Sequence, residues 1–135
     1  MLYEDITKKI FEACFEVSNE PGIGYPESVY EKALLIALRQ KSLKAENQIP
    51  LQVKFRGEVV GEFFVDILVE NKILIELKVV NTLTKELYAQ TINYLKATGI
   101  EVGLLINFGN AKLEYRRFNN KFIVTTNSLK DFFTK

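Results

Sequence analysis

The sequence contains no histidine and no tryptophan, and it has one cysteine and three prolines in 135 residues. Without histidine the chain cannot build a serine triad, a histidine general base or a histidine-rich zinc site. The single cysteine, Cys14, excludes an intramolecular disulfide and fits a reducing compartment, so we expect a cytoplasmic protein. Any catalysis would therefore depend on carboxylates, lysine and a metal ion.

The sequence also lacks an excess of one charge and long apolar runs. Lys and Arg number 18 against 17 Asp and Glu, so any nucleic-acid site must be local rather than a property of the net charge of +1. The longest apolar run, residues 33–38, is too short to span a bilayer, and the N-terminus is charged, so no membrane span or secretory signal is expected. With 47% hydrophobic residues, the sequence predicts one globular domain over residues 1–135.

Hydrophobic periodicity predicts an α/β fold with helices flanking a mixed central sheet. The first three strands should form an antiparallel meander, and the fourth, which follows a crossover helix, should join the same sheet in parallel. A C-terminal hairpin and a short amphipathic tail would complete the chain. The predicted helices are 2–17, 26–41 and 85–98, the predicted strands are 49–55, 59–69, 73–80 and 102–108, and the hairpin pairs 112–118 with 121–126.

Two charges interrupt the apolar strand ILIELKVV, residues 73–80. A buried charge costs several kcal/mol unless another group compensates it. Glu76 and Lys78 are two residues apart and therefore project from the same face of the strand. The preceding strand is interrupted in the same way, because Asp66 lies within FFVDILV.

The expected strand register brings these charges together. With a turn at residues 70–72, Val69 faces Ile73, and counting back sets Asp66 opposite Glu76, with the two Cβ atoms about 5 Å apart. Two carboxylates at that distance repel each other unless one is protonated or a cation lies between them. Hard oxygen ligands favour Mg²⁺ or Mn²⁺, so the sequence points to a divalent-metal site.

A simpler interpretation is that these charges line a solvated face. The chain has a second Glu-x-Lys tripeptide at residues 70–72, which we interpret as ordinary turn charges, so the tripeptide alone is weak evidence. However, two adjacent strands break their apolar pattern at apposed positions, and such local rule-breaking tends to mark function.

The arrangement resembles a known superfamily. An Asp on one strand, Glu-x-Lys on the next and then a helix are similar to the PD-(D/E)xK nuclease superfamily, with its restriction endonuclease-like core. Gly24, Glu27 and Tyr30 in GYPESVY also resemble the GxxExxY pattern of a small prokaryotic family of that superfamily. The resemblance covers residues 5–118, and it departs from the superfamily's name where Val65 stands in place of Pro.

A second signature lies on the predicted third helix. Gln90 and Tyr94 resemble the Q-x-x-x-Y signature of RecB-type nucleases, and at four residues apart they share one helix face. The resemblance implies that Gln90 supports the site and that Tyr94 contacts the phosphate or buttresses the pocket.

The resemblance implies metal-dependent hydrolysis of phosphodiester bonds in a nucleic acid, with DNA favoured over RNA. Asp66 and Glu76 would bind Mg²⁺ or Mn²⁺, and the main-chain carbonyl of Leu77 would be a further ligand. Glu27 would hold a metal-bound water or a second metal. Lys78 would orient the attacking water or stabilise the developing phosphorane charge.

Other interpretations stay open at this point. The chain could be a non-catalytic nucleic-acid-binding or assembly module, including a homodimer, or a small-molecule hydrolase that uses the same carboxylates. Glu27 would favour a helix dipole in any protein, and Tyr30 could be a core aromatic with a bonded hydroxyl. The basic residues Arg116 and Arg117, with Lys112 and Lys121, could contact a phosphate backbone or form a solvated face.

Overall fold

The computed structural model describes residues 2–120. The predicted strand at 121–126, the amphipathic tail and Lys121 lie outside the described residues. The helices are α1 (Glu4–Asn19), α2 (Glu27–Gln40) and α3 (Lys85–Thr98), and the strands are β1 (Ala45–Phe55), β2 (Glu58–Val69), β3 (Ile73–Lys78), β4 (Val102–Asn107) and β5 (Glu114–Asn119). Across residues 2–120, no helix combines the length and the apolar character that crossing a membrane requires.

Local capping explains where α3 begins and ends. The side chain of Thr84 accepts a hydrogen bond from the Leu87 N–H, which satisfies one of the free donors of the first turn. Gly99 ends the helix in the left-handed conformation, with φ 73°, which glycine adopts without steric cost. Both ends lie at the predicted residues.

The five strands form one mixed sheet in the order β1-β2-β3-β4-β5. The meander of β1, β2 and β3 is antiparallel, whereas β4 pairs with β3 in parallel after the α3 crossover. β5 then pairs antiparallel with β4. The predicted fold class is confirmed: a mixed α/β sheet flanked by helices, consistent with a restriction endonuclease-like core.

The β1–β2 hairpin is longer and less regular than predicted. β1 begins at Ala45 rather than at residue 49. The prediction missed residues 46–48 because they are exposed and polar and so show no apolar alternation. A bulge interrupts the hairpin next to Gly61: Val53 pairs with Gly61 but Lys54 pairs with Val59, which leaves Val60 as the extra residue.

Helices cover the two faces of the sheet unequally. The larger core lies against α1 and α2 and includes Ile75 and Leu77 of β3, both fully buried. A smaller core lies against α3 and includes Leu74 of β3 and Tyr94 and Leu95 of the helix. The alternation of side chains along β3 therefore assigns successive residues to different cores.

The two arginines of β5 point to opposite faces of the sheet. Arg117 faces α1, where its guanidinium donates to the Thr7 hydroxyl at 3.0 Å and to the Leu2 carbonyl at 2.7 Å. Arg116 faces α3 and lies over the Tyr88 ring, 4.8 Å from its centroid. Adjacent strand residues project to opposite faces, so these cations serve two different packing contacts.

Candidate active site

Asp66 and Glu76 lie side by side where the ladder between β2 and β3 opens. The predicted register is confirmed, with Val69 opposite Ile73, and the paired residues end at Ile67 and Ile75. Beyond that pair each carboxylate binds the main chain of the other strand. Glu76 Oε2 accepts from the Asp66 N–H at 2.8 Å, and Asp66 Oδ2 accepts from the Leu77 N–H at 2.8 Å. The two acidic side chains thus replace main-chain ladder bonds.

This exchange concentrates negative charge in a buried place. Glu76 is only 3% exposed, and burial, followed by the neighbouring charge of Asp66, raises its pKa to about 8. The pKa of Asp66 is also raised by burial, although the hydrogen bond from the Leu77 N–H opposes the shift. Burial is therefore the main reason why both carboxyl groups resist ionisation.

Glu27 reaches the same place from the first turn of α2. Burial raises the pKa of Glu27 first, the charge of Asp66 raises it further, and Lys78 opposes both. Lys78 at the end of β3 is half-buried and acts electrostatically on Asp66 and Glu76 as well. Three predicted carboxylates and the predicted lysine therefore belong to one electrostatic cluster.

The loop before α2 is shaped by the other residues of the GYPESVY motif. Gly24 has φ 104°, a conformation in which a side chain would be strained. The Tyr30 hydroxyl donates to the Gly22 carbonyl at 2.6 Å, and the Tyr30 ring stacks on Phe108 with centroids 5.0 Å apart. Tyr30 is fully buried, which fits the core-aromatic interpretation, and it ties the loop that places Glu27 at the helix start.

A polar clamp holds the chain immediately after Lys78. The buried Asn107 side chain accepts from the Val80 N–H at 3.0 Å and donates to the Val80 carbonyl at 2.9 Å. Gly109 passes so close that an added Cβ would lie 2.2 Å from the Val80 oxygen. β3 therefore ends at Lys78, two residues earlier than predicted, because a side chain takes over the hydrogen bonds of Val80.

Gln90 and Tyr94, both on α3, lie near the carboxyl groups of Asp66 and Glu76. Gln90 Nε2 donates to the Tyr94 hydroxyl at 3.3 Å, so the predicted pair does share one helix face. The pKa of Tyr94 is raised by burial and then by the charges of Glu76 and Asp66.

Two further residues of the site were not predicted from the sequence. Glu31 lies one helical turn after Glu27 and raises the pKa of both Glu27 and Asp66 by its charge. Gln48 joins them: its Nε2 donates to Glu31 Oε1 at 2.7 Å and lies 3.5 Å from Asp66 Oδ1. The i, i+4 spacing of the two glutamates on α2 was the available signal for Glu31. Gln48, in an exposed polar stretch, offered none.

Comparison with known proteins identifies the family. The sequence profile of the PD-(D/E)XK nuclease superfamily matches residues 4–118. This chain belongs to the PD-(D/E)XK nuclease superfamily. Members of the superfamily are typically divalent-metal-dependent phosphodiesterases that act on nucleic acids. The residues described above are therefore the candidate active site of a superfamily member.

The fold of this superfamily member is also found in a solved structure described as "Crystal structure of SSO0001". The match has a TM-score of 0.52 at 17% sequence identity, and it covers 95% of this chain and 69% of the other. At this identity the likeness concerns the fold alone. Among curated proteins, none matches this sequence.

The donor set suits a hard divalent cation. Asp66, Glu76 and Glu27 supply carboxylate oxygens. Burial first, and neighbouring negative charges second, raise the pKa of each of these groups, and a bound cation would favour their ionised forms. Within residues 2–120, no three acidic side chains come close enough to hold a metal by themselves. Mg²⁺ commonly binds one or two carboxylates and keeps several waters, so the pair of Asp66 and Glu76 provides enough protein ligands for this ion.

Proposed function

We propose that this chain is a divalent-metal-dependent nuclease that hydrolyses phosphodiester bonds in DNA and that residues 1–135 form one nuclease domain. The observation that carries the proposal is the reciprocal pair of bonds from Asp66 and Glu76 to main-chain N–H groups. These bonds hold the buried carboxyl group of Glu76 and the half-buried carboxyl group of Asp66 together, with Lys78 nearby. Burial and charge repulsion both oppose ionisation of Glu76, a cost that a structural role alone would not require.

The roles of the residues follow from their positions. Asp66 and Glu76 would hold Mg²⁺ or Mn²⁺, which lowers the pKa of a bound water and neutralises charge on the phosphate. The Leu77 carbonyl is a candidate further ligand because a strand residue directs its N–H and C=O to the same neighbour, and the Leu77 N–H points to Asp66. Glu27 would accept a hydrogen bond from a water held by the site.

The remaining residues would act on the phosphate. Lys78 would place its ammonium group against the developing negative charge or orient the attacking water. Tyr94, whose hydroxyl is bonded by Gln90, would contact a phosphate oxygen. Gly24, Glu27 and Tyr30 support assignment to the GxxExxY group, since together they shape the loop and the helix start that present Glu27.

Metal binding and cleavage can be tested together. Calorimetric titration of Mn²⁺ should give saturable binding to the wild type that Asp66→Ala abolishes, and Mn²⁺ or Mg²⁺ should support cleavage of DNA by the wild type only. Saturable binding without cleavage of any DNA or RNA would favour the non-catalytic module instead. Cleavage that survives Asp66→Ala would overturn the site assignment.

The chain offers a matched control for the lysine. Lys78→Ala should abolish cleavage while Mn²⁺ affinity is retained, because an ammonium group is not a metal ligand. Lys72, from the other Glu-x-Lys tripeptide, lies over the Tyr3 ring on the turn before β3. Lys72→Ala should therefore cleave like the wild type, and equal losses in the two variants would contradict the proposed role of Lys78.

A further inference from the structure

A groove of about 970 Å³ lies between the β1–β2 hairpin and α3. This volume is at the upper end of the range of about 300–1,000 Å³ that is usual for ligand pockets. Phe63 and Gln52 line the groove from the hairpin, whereas Gln90, Asn93 and Tyr94 line it from the helix. Of these residues, only Gln90 and Tyr94 also belong to the candidate active site, and the proposed function gives the groove itself no role.

The groove is continuous with the candidate active site through these shared residues. The Tyr94 hydroxyl accepts from Gln90 at 3.3 Å and is close enough to Glu76 for that carboxylate to raise its pKa. A linear ligand with a phosphate at Asp66 and Glu76 would therefore extend past Tyr94 into the groove. Such a ligand would carry a phosphate and a further group that packs against the aromatic and amide side chains of the groove.

Phe63 presents an aromatic surface in this groove. Its side chain is 41% exposed, and its ring lies 5.8 Å from the Tyr94 ring at an interplanar angle of 47°, so the two rings are not stacked. The ring lies across Gly61, where an added Cβ would come within 2.8 Å of Phe63 Cε2. The missing side chain at Gly61 thus permits this ring position.

The polar residues of the groove suit nucleobases. Gln90 and Asn93 carry amide groups, which both donate and accept hydrogen bonds, as base edges do. The Gln52 amide instead donates to Glu62 at 3.4 Å. Lys54 and Lys96 also line the groove, against one acidic residue, Glu86. The lining therefore offers aromatic stacking, amide hydrogen bonding and a small excess of positive charge.

We propose that this groove binds the bases of an unpaired DNA strand, with Phe63 as the stacking surface, while the strand's phosphate lies at the carboxylates. The proposal rests on the proposed function and adds the substrate class. Aromatic side chains stack on base faces, which are free in a single strand but covered in a duplex. Duplex binding depends on neutralising many phosphates, and the groove itself offers only Lys54 and Lys96 against Glu86 for that.

The test measures binding without cleavage. A fluorescein-labelled DNA strand of mixed sequence is titrated with protein in Ca²⁺, a hard cation that carboxylates bind, and gels check that the strand stays uncut. Anisotropy follows the binding of this strand, of the same strand in a duplex and of the equivalent RNA strand. The single DNA strand should bind most tightly. Phe63→Ala should weaken its binding roughly tenfold, because one base–aromatic stack is lost. Gly61→Ala, which displaces the Phe63 ring without removing it, should weaken binding in the same direction.

Phe64→Ala is the matched control, since Phe64 is 55% exposed and projects from the other face of β2. It should bind the strand like the wild type, and melting curves should show that all three variants are folded. Equal or tighter binding of the duplex or of RNA would overturn the proposal. Unchanged binding by Phe63→Ala would also overturn it. If Phe63→Ala altered only self-association in ultracentrifugation, the groove would be assigned to a second copy of the chain.

The failure of this proposal differs from failure of the proposed function. Strand binding that depends on Phe63, without any cleavage in Mn²⁺, would support the groove and contradict the nuclease. Cleavage of a duplex that is indifferent to Phe63→Ala would support the nuclease and contradict the groove.

Discussion

On the face of the sheet that α1 and α2 cover, β3 contributes Ile73, Ile75 and Leu77, all fully buried in an apolar core. On the face toward α3, the same strand contributes Leu74, Glu76 and Lys78. The first face gains stability from every side chain it buries. The second face accepts a buried carboxylate whose pKa is raised to about 8, so part of its burial opposes folding. Alternation along one strand thus places the apolar core on one face and the candidate active site on the other.

The largest expected effect is the loss of cleavage on substitution of Glu76, which we contrast with substitution of its neighbour Leu77. Glu76→Gln should lower the rate of metal-dependent cleavage by about 10³-fold, because metal-ion catalysis supplies several kcal/mol of transition-state stabilisation. The same variant should raise the free energy of unfolding of the metal-free protein at pH 8, since glutamine can still accept the Asp66 N–H but carries no charge. Urea denaturation and cleavage assays check both, with the exposed Glu62→Gln as control. A destabilised Glu76→Gln would contradict the contrast.

The next residue should show the opposite behaviour. Leu77→Ala removes a fully buried side chain and should lower the free energy of unfolding by about 3 kcal/mol. Its main-chain bond to Asp66 is unaffected, so cleavage per folded molecule should persist. Chemical denaturation measures the loss, and Ile36→Ala, at a position 59% exposed, should cost far less. Loss of cleavage in folded Leu77→Ala would show that the two faces are not separable.

Stability of the metal-free protein should depend on pH through the α3 face. Because the folded-state pKa of Glu76 is about 8, above its ordinary 4.5, the folded state binds the proton more tightly than the unfolded state does. The free energy of unfolding should therefore fall, by an amount on the order of a few kcal/mol, as pH rises from 4.5 to 8. Thermal denaturation in EDTA measures this slope. Glu76→Gln should flatten it, and an equal slope in that variant would assign the effect elsewhere.

Gln48 should have a smaller effect on the site. Gln48→Ala removes the amide that bonds Glu31 and lies near Asp66, so Mn²⁺ affinity should fall about tenfold, as for other residues that orient metal ligands. Asn47→Ala is the matched control, because Asn47 donates to Glu31 but not to Asp66. Calorimetry would compare the two, and equal affinities would remove Gln48 from the site.

The smallest expected effect concerns the core face. Tyr30→Phe loses the hydroxyl bond to the Gly22 carbonyl and should lower the free energy of unfolding by about 1 kcal/mol. Tyr25→Phe, at an exposed position, should leave stability unchanged. A large loss of cleavage without a loss of stability in Tyr30→Phe would instead give Tyr30 a direct part in the chemistry.

Prediction from the sequence succeeded where contacts are local. The three-residue turn set the register of β2 and β3, so Asp66 and Glu76 could be paired by counting. The capping residues Thr84 and Gly99 likewise marked the ends of α3. The opposite directions of Arg116 and Arg117 were also available from strand alternation, but the basic run was considered as one patch.

Prediction failed where a side chain from a distant element replaces a main-chain partner. Asn107, from β4, ends β3 at Lys78 by bonding Val80, and no pattern within residues 73–80 indicates this. Gln48 reaches the site from a polar stretch whose strand character comes from pairing with β2 rather than from its own hydrophobicity.

The sequence by itself determined the periods of the helices and strands, the register of the meander and hence the meeting of two carboxylates beside a lysine. These depend on residues close in the chain, which short turns bring together at little cost in entropy. Only the tertiary structure decided that the carboxylates bond each other's main chain, that Glu31 joins them from α2, and that α3 leaves a groove beside the hairpin. These features depend on how helices pack across the sheet, and the packing of side chains far apart in sequence sets that placement.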